Sequence, residues 1–278
     1  MFLWSCTKEI NVSLPSNANE LVVNCVYNNQ EPIKVFMTKT VNPKDTIYNT
    51  GDSSYFISLT EDGNFKEIIK FNTSTKVYES TVIAKASSEY VLSVNQTNRK
   101  ATEVKATNKL PNNIKLQNVQ FIDSIYKDGV NYFGELSFTI NDPEGYDYYR
   151  LNIYYFNSTT QEYRLLPYST NDQVLTDDST INLNNTRYFS DKIFKSKSHV
   201  FKILVQAGNY YTNTGRNNLL IETASLSKDF YKYFLSLEAY NKAYNPLNPL
   251  SNPVSLYSNT SNNIGIFAGY VIDRDTIK

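Results

Sequence analysis

NYFGELSFTINDPEGYDYYRLNIYYF (Asn131–Phe156) decides the fold class. Leu136, Phe138 and Ile140 alternate with Phe133, Glu135 and Ser137, the period of a strand that buries one face. Asp142-Pro143-Glu144-Gly145 interrupts the run with residues suited to a reverse turn. Asp147–Phe156 then resumes it as a second long strand. Its tyrosines come in pairs, Tyr148 with Tyr149 and Tyr154 with Tyr155, so tyrosine faces both sides of that strand.

Working outward, the same short strand-like runs recur on both sides. Upstream they are Leu21–Tyr27, Ile33–Thr38, Tyr55–Leu59, Lys66–Phe71, Lys76–Glu79, Glu89–Asn95 and Ala101–Ala106. Asp62-Gly63 reads as a hairpin turn that needs positive φ. Downstream they are Ile114–Tyr126, Glu162–Leu166, His199–Ala207, Leu219–Thr223, Pro253–Tyr257 and Ile264–Ile272. A single helix is expected near 226–244, with Leu226, Phe230, Phe234 and Leu237 on one face. Ser225 or Ser227 can cap it, and Asn245-Pro246 ends it. Asn108–Asn113, with Pro111 among polar residues, divides the chain. The expectation is an all-β protein of two β-sandwich-like domains. The first, 20–110, is of immunoglobulin or transthyretin-like type; the second, 111–278, carries the single α-helix.

Composition narrows the function. The 278 residues contain 27 basic and 27 acidic side chains, and no basic run marks a nucleic-acid-binding face. Two cysteines are too few for a disulfide framework. Cys25 sits in an apolar strand and reads as a small buried side chain. Cys6 is different, because Leu3-Trp4-Ser5-Cys6 resembles a bacterial lipobox. Met1–Trp4 is only the end of a signal peptide, so 1–19 reads as signal remnant and tether, with Cys6 as the lipid-attachment residue.

Catalytic chemistry finds little support. His199 is the only histidine, and it reads as a strand-end residue. Nucleophile-elbow, P-loop and dinucleotide-binding patterns are absent from the sequence. The richest acidic group is Asp142, Glu144 and Asp147. It reads first as a turn, second as a calcium site, since closely spaced carboxylates suit a hard cation, and last as a catalytic pair. Tyr231, Tyr233 and Tyr240 on the helix, with the loop Asn245–Pro253, are expected to dock a partner.

Five segments in order carry a family resemblance: LVVNCVY (Leu21–Tyr27), SLTEDGNF (Ser58–Phe65), SFTINDPEGYDYYRL (Ser137–Leu151), DFYKYFLSLEAY (Asp229–Tyr240) and NPLSNPVSLYSNTSNNIGIFAGY (Asn248–Tyr270). The chain resembles the DUF4249 family of Bacteroidetes outer-membrane lipoproteins, apart from Cys25 where a glycine is expected. The resemblance implies a secreted, lipid-anchored protein, often encoded beside a TonB-dependent outer-membrane transporter, and it implies no catalytic residues. The expected function is therefore an accessory binding or lid subunit of such a transporter. A carboxylate-dependent polysaccharide hydrolase and an adhesion or envelope-structural module are the alternatives.

Overall fold

The computed structural model describes residues 20–41, 53–96, 103–129, 131–145, 147–157, 159–183, 185–206, 211–212, 215–216, 219–243 and 254–277. The N-terminal strands are β1 (Leu21–Asn28), β2 (Pro32–Lys39), β3 (Tyr55–Glu61), β4 (Asn64–Asn72), β5 (Val77–Ile83), β6 (Glu89–Gln96) and β7 (Val104–Lys109). Most alternate buried and exposed residues, as β7 does without exception. That alternation follows from side chains pointing to opposite faces at successive positions. Asp62 and Gly63 adopt φ of 51° and 77° and join β3 to β4 in a two-residue turn, as the Asp-Gly pair predicts.

The second part contains β8 (Gln117–Asp128), β9 (Asn131–Asn141), β10 (Tyr148–Asn157), β11 (Glu162–Leu165), β12 (Tyr168–Ser169), a one-turn helix α1 (Gln173–Thr176), β13 (Ile181–Leu183) and β14 (Thr186–Ser190). A 3-10 turn, Asp191–Ile193, leads to β15 (Ser198–Gln206), β16 (Tyr211–Thr212), β17 (Gly215–Arg216), β18 (Leu219–Leu226), α2 (Lys228–Ala243) and β19 (Gly265–Ile277). The all-β expectation with one substantial helix holds. Pro253–Tyr257 does not: residues 254–257 form no strand.

The strands do not divide into one sheet set per half of the chain. One extended sheet runs β13-β14-β10-β18-β19-β1-β2-β5-β4-β3-β6-β7, and β11 also pairs with β10. The seam is a parallel pairing of the first strand with the last, from Val23↔Gly265 to Asn28↔Tyr270. Gly265 makes it possible: at φ +111°, a Cβ there would lie 2.1 Å from the Val23 carbonyl oxygen. A second, four-stranded sheet has the order β12-β15-β9-β8.

Burial follows these layers. The N-terminal core joins residues of β1 to β7 to Phe267 and Val271 of β19. A second core joins Leu136, Phe138 and Ile140 of β9 and Phe201, Ile203 and Val205 of β15 to Tyr149, Leu151 and Ile153 of β10. Core membership changes between Leu110 and Ile114. Helix α2 covers the opposite face of β18 and β19, where Phe230 and Tyr231 pack with Ala224, Ile266 and Ala268. The helix starts at Lys228, so Leu226 belongs to the end of β18 rather than to the helix face. The Ser227 hydroxyl accepts the Phe230 amide at 3.3 Å and caps the first turn.

Candidate functional site

Asp142-Pro143-Glu144-Gly145 does not close a hairpin. β9 belongs to the four-stranded sheet and β10 to the extended one, so this segment carries the chain from one layer to the other. A second crossing, from β14 through the 3-10 turn to β15, joins the same two sheets. Strand register sets the crossings side by side: Tyr148 pairs with Ser190 at one end and Asn141 with Ser198 at the other. The Asp191 amide donates to the Asp147 carbonyl at 3.1 Å, and the Asp142 amide to the Lys197 carbonyl at 3.2 Å.

Three carboxylates meet there. One oxygen from each of Asp142, Asp147 and Asp191 lies within 4.8 Å of the others. Asp142 is held in place by the Tyr149 hydroxyl and by the Ser196 amide, which donates to Oδ2 at 2.6 Å. Asp191 is 0% exposed, and both of its carboxyl oxygens lack a hydrogen-bond partner among the described residues. Asp147 Oδ2 is likewise buried without one. Burial, reinforced by the charges of Asp142 and Asp191, pushes the Asp147 carboxyl up to about 6. Burial also raises Asp191, and the Asp142 charge adds to the rise, while the Asp147 backbone and the Lys195 charge oppose it.

The structure corrects the sequence-derived trio. Glu144 is exposed and outside the group, and Asp191 takes its place. Asp191 has no local signal in the sequence, since the strand before it is too brief to show a period. Only the β10–β14 register brings it to Asp147. A cleft of about 260 Å³ adjoins the group and is lined by Asp147, Tyr148, Lys109, Leu110, Ser227 and Lys228, among others.

The remaining expected residues fall as follows. Tyr231 is 5% exposed, stacks on Tyr148 with centroids 4.3 Å apart, and donates its hydroxyl to the Ser179 carbonyl. It therefore belongs to the packing of helix on sheet, not to a docking face. Tyr233 is half-buried against Phe234, while Tyr240 remains 39% exposed. His199 Nε2 lies 2.9 Å from Asp172 Oδ2, and Asp172 Oδ1 caps α1 through the Val174 amide, which gives the histidine a structural partner. Cys25 is a fully buried free thiol, pushed well up by that burial. Cys6 and the loop Asn245–Pro253 lie outside the described residues. Among the described residues, no helix is long and apolar enough to cross a membrane.

The family described as Domain of unknown function (DUF4249) matches residues 7–276. No curated protein matches the chain. Among solved structures, one described as a membrane anchored protein from Corynebacterium diphtheriae is similar at 6% identity and a TM-score of 0.23. The match covers 74% of this chain and 54% of that one, and at that score it carries no argument about fold or function.

Proposed function

The chain belongs to the DUF4249 family, and on that premise we propose that it is a lipid-anchored outer-membrane lipoprotein that serves a TonB-dependent transporter as an accessory binding or lid subunit. The observation that carries this reading is the extent of the match, 7–276, which begins at the residue after Cys6. Residues 7–276, behind the lipobox-like Leu3-Trp4-Ser5-Cys6, are thus family body. Cys6 is the attachment point, and lipid holds the β-body at the membrane. Helix α2 supports the docking part of the reading. It rests on the sheet through Phe230 and Tyr231 and leaves Leu235 (40%) and Tyr240 (39%) exposed on its outer side. Large apolar and tyrosine side chains in that position suit a protein contact.

Two measurements test the proposal. Mass spectrometry of the mature protein from native membranes is expected to find an acylated N-terminal Cys6; an unmodified Cys6 removes the anchor. Affinity capture from detergent-solubilised membranes is expected to recover a TonB-dependent transporter. Recovery is expected to fall for the Leu235→Ala, Tyr240→Ala double variant. Equal recovery from both proteins, or no transporter with either, overturns the accessory role.

A further inference from the structure

Folding places Asp142, Asp147 and Asp191 where two crossings between the sheets run side by side, and it leaves Asp191 fully buried with both carboxyl oxygens unpartnered among the described residues. An uncompensated buried carboxylate destabilises the fold, because its charge loses hydration without gaining a partner. The same protein shows how it neutralises such a group elsewhere. Glu222 on β18, 3% exposed, receives Arg150, Arg274 and Asn152 at 2.7 to 3.0 Å. At the acidic trio the compensating charge within reach is Lys195, which acts on Asp191.

We propose that Asp142, Asp147 and Asp191 form a calcium site that clips the two sheets together at their crossings. The ligand set fits the ion. Oxygens within 4.8 Å of one another can be bridged by a cation that binds each at about 2.3–2.6 Å. Three carboxylates from the protein suit calcium better than magnesium, which keeps several waters and takes one or two carboxylates. Water completes the calcium shell. Tyr149 and the Ser196 amide orient Asp142 from behind, the supporting arrangement that ligating carboxylates require. Asp147 lines the cleft, so the ion has a path inward from solvent. Bound calcium joins the turn after β9 to the turn after β14 and fixes one wall of that cleft.

The test uses the full folded chain, first stripped with a chelator. Calcium chloride at a hundredfold excess over its dissociation constant is expected to raise Tm by about 5–10 °C, and chelator to reverse it. Terbium chloride, which takes calcium sites, is expected to give tyrosine-sensitised luminescence that calcium displaces. Asp191→Asn is expected to abolish both responses and to raise the Tm of the chelated protein, because one repelling charge is removed. Glu144→Gln is expected to leave both responses intact. A chelated wild-type protein with no calcium-dependent Tm change and no terbium signal overturns the proposal, whatever the variants do. An equal Tm shift with magnesium overturns the calcium assignment, and loss of the response in Glu144→Gln overturns the ligand set.

Discussion

Glu222 on β18 and Asp191 immediately after β14 are both buried carboxylates, at 3% and 0% exposure, and β18 and β14 are separated in the sheet only by β10. Their surroundings are opposite. Burial would raise Glu222, yet Arg150, Arg274 and Asn152 outweigh it and hold the carboxyl below its usual range. Around Asp191 the Asp142 charge adds to the effect of burial instead, and its carboxyl rises. The difference teaches how each site has to be completed. The first carboxylate is compensated by the chain's own guanidiniums, Arg150 and Arg274, and needs nothing more; the second collects like charges that only an added cation or protons can reconcile.

The largest effect is expected at the completed site. Glu222→Gln leaves the Arg150 guanidinium, whose side chain is 12% exposed, without its carboxylate. A loss of about 3–5 kcal/mol in urea unfolding is expected; a loss under about 1 kcal/mol would mean that the stacking of Arg150 on Tyr270, 4.5 Å from ring centroid, suffices alone. At the acidic site the sign reverses. With calcium chelated at neutral pH, Asp147→Asn is expected to stabilise by about 1–2 kcal/mol, a figure reduced for its partial exposure.

Dependence on pH sharpens the same contrast. Asp147 titrates near 6 when folded against 3.8 for an unperturbed aspartate. Its protonated form is favoured in the fold, so its stabilising contribution is complete below the unfolded value and is lost as pH rises from about 4 to 6. Glu222 is depressed, so its contribution is present above its ordinary value of 4.5 and is lost as pH falls below that. Chelated wild-type protein is therefore expected to be most stable near pH 4–5, with the upper limb flattened by Asp147→Asn and the lower limb by Glu222→Gln. Melts across pH 3–8 check both slopes. The smallest effect is expected at Glu144→Gln, within about 0.5 kcal/mol with or without calcium, because that side chain is exposed.

What was legible in advance was whatever depends on near neighbours in the chain. The alternation in Leu136, Phe138 and Ile140 marked the buried face of β9, and all three are buried. Asp62-Gly63 marked its turn, and the aromatic face of α2 marked a helix that packs on a sheet, with Phe230 stacked on Tyr270 and Phe234 on Tyr188. Tyrosine on both faces of β10 had two readings, core or contact surface. The structure covers both sides: Tyr149 lies in the core between the sheets and Tyr148 lies beside helix α2. The short strands β13 and β14 escaped notice, since Ile181–Leu183 and Thr186–Ser190 are too brief to show a period.

Amino-acid order by itself determined the strand-rich class, the helix and its cap, two of the three acids at the crossing, and the lipobox-like cysteine. Each of these rests on patterns spanning a few residues, where backbone geometry and side-chain chemistry act directly. Only the tertiary structure decided that β1 pairs in parallel with β19, that Asp142–Gly145 crosses between sheets, and that Asp191 rather than Glu144 completes the trio. Those outcomes depend on strand register between distant segments, and register follows from how whole sheets bury their faces, a condition no local stretch contains.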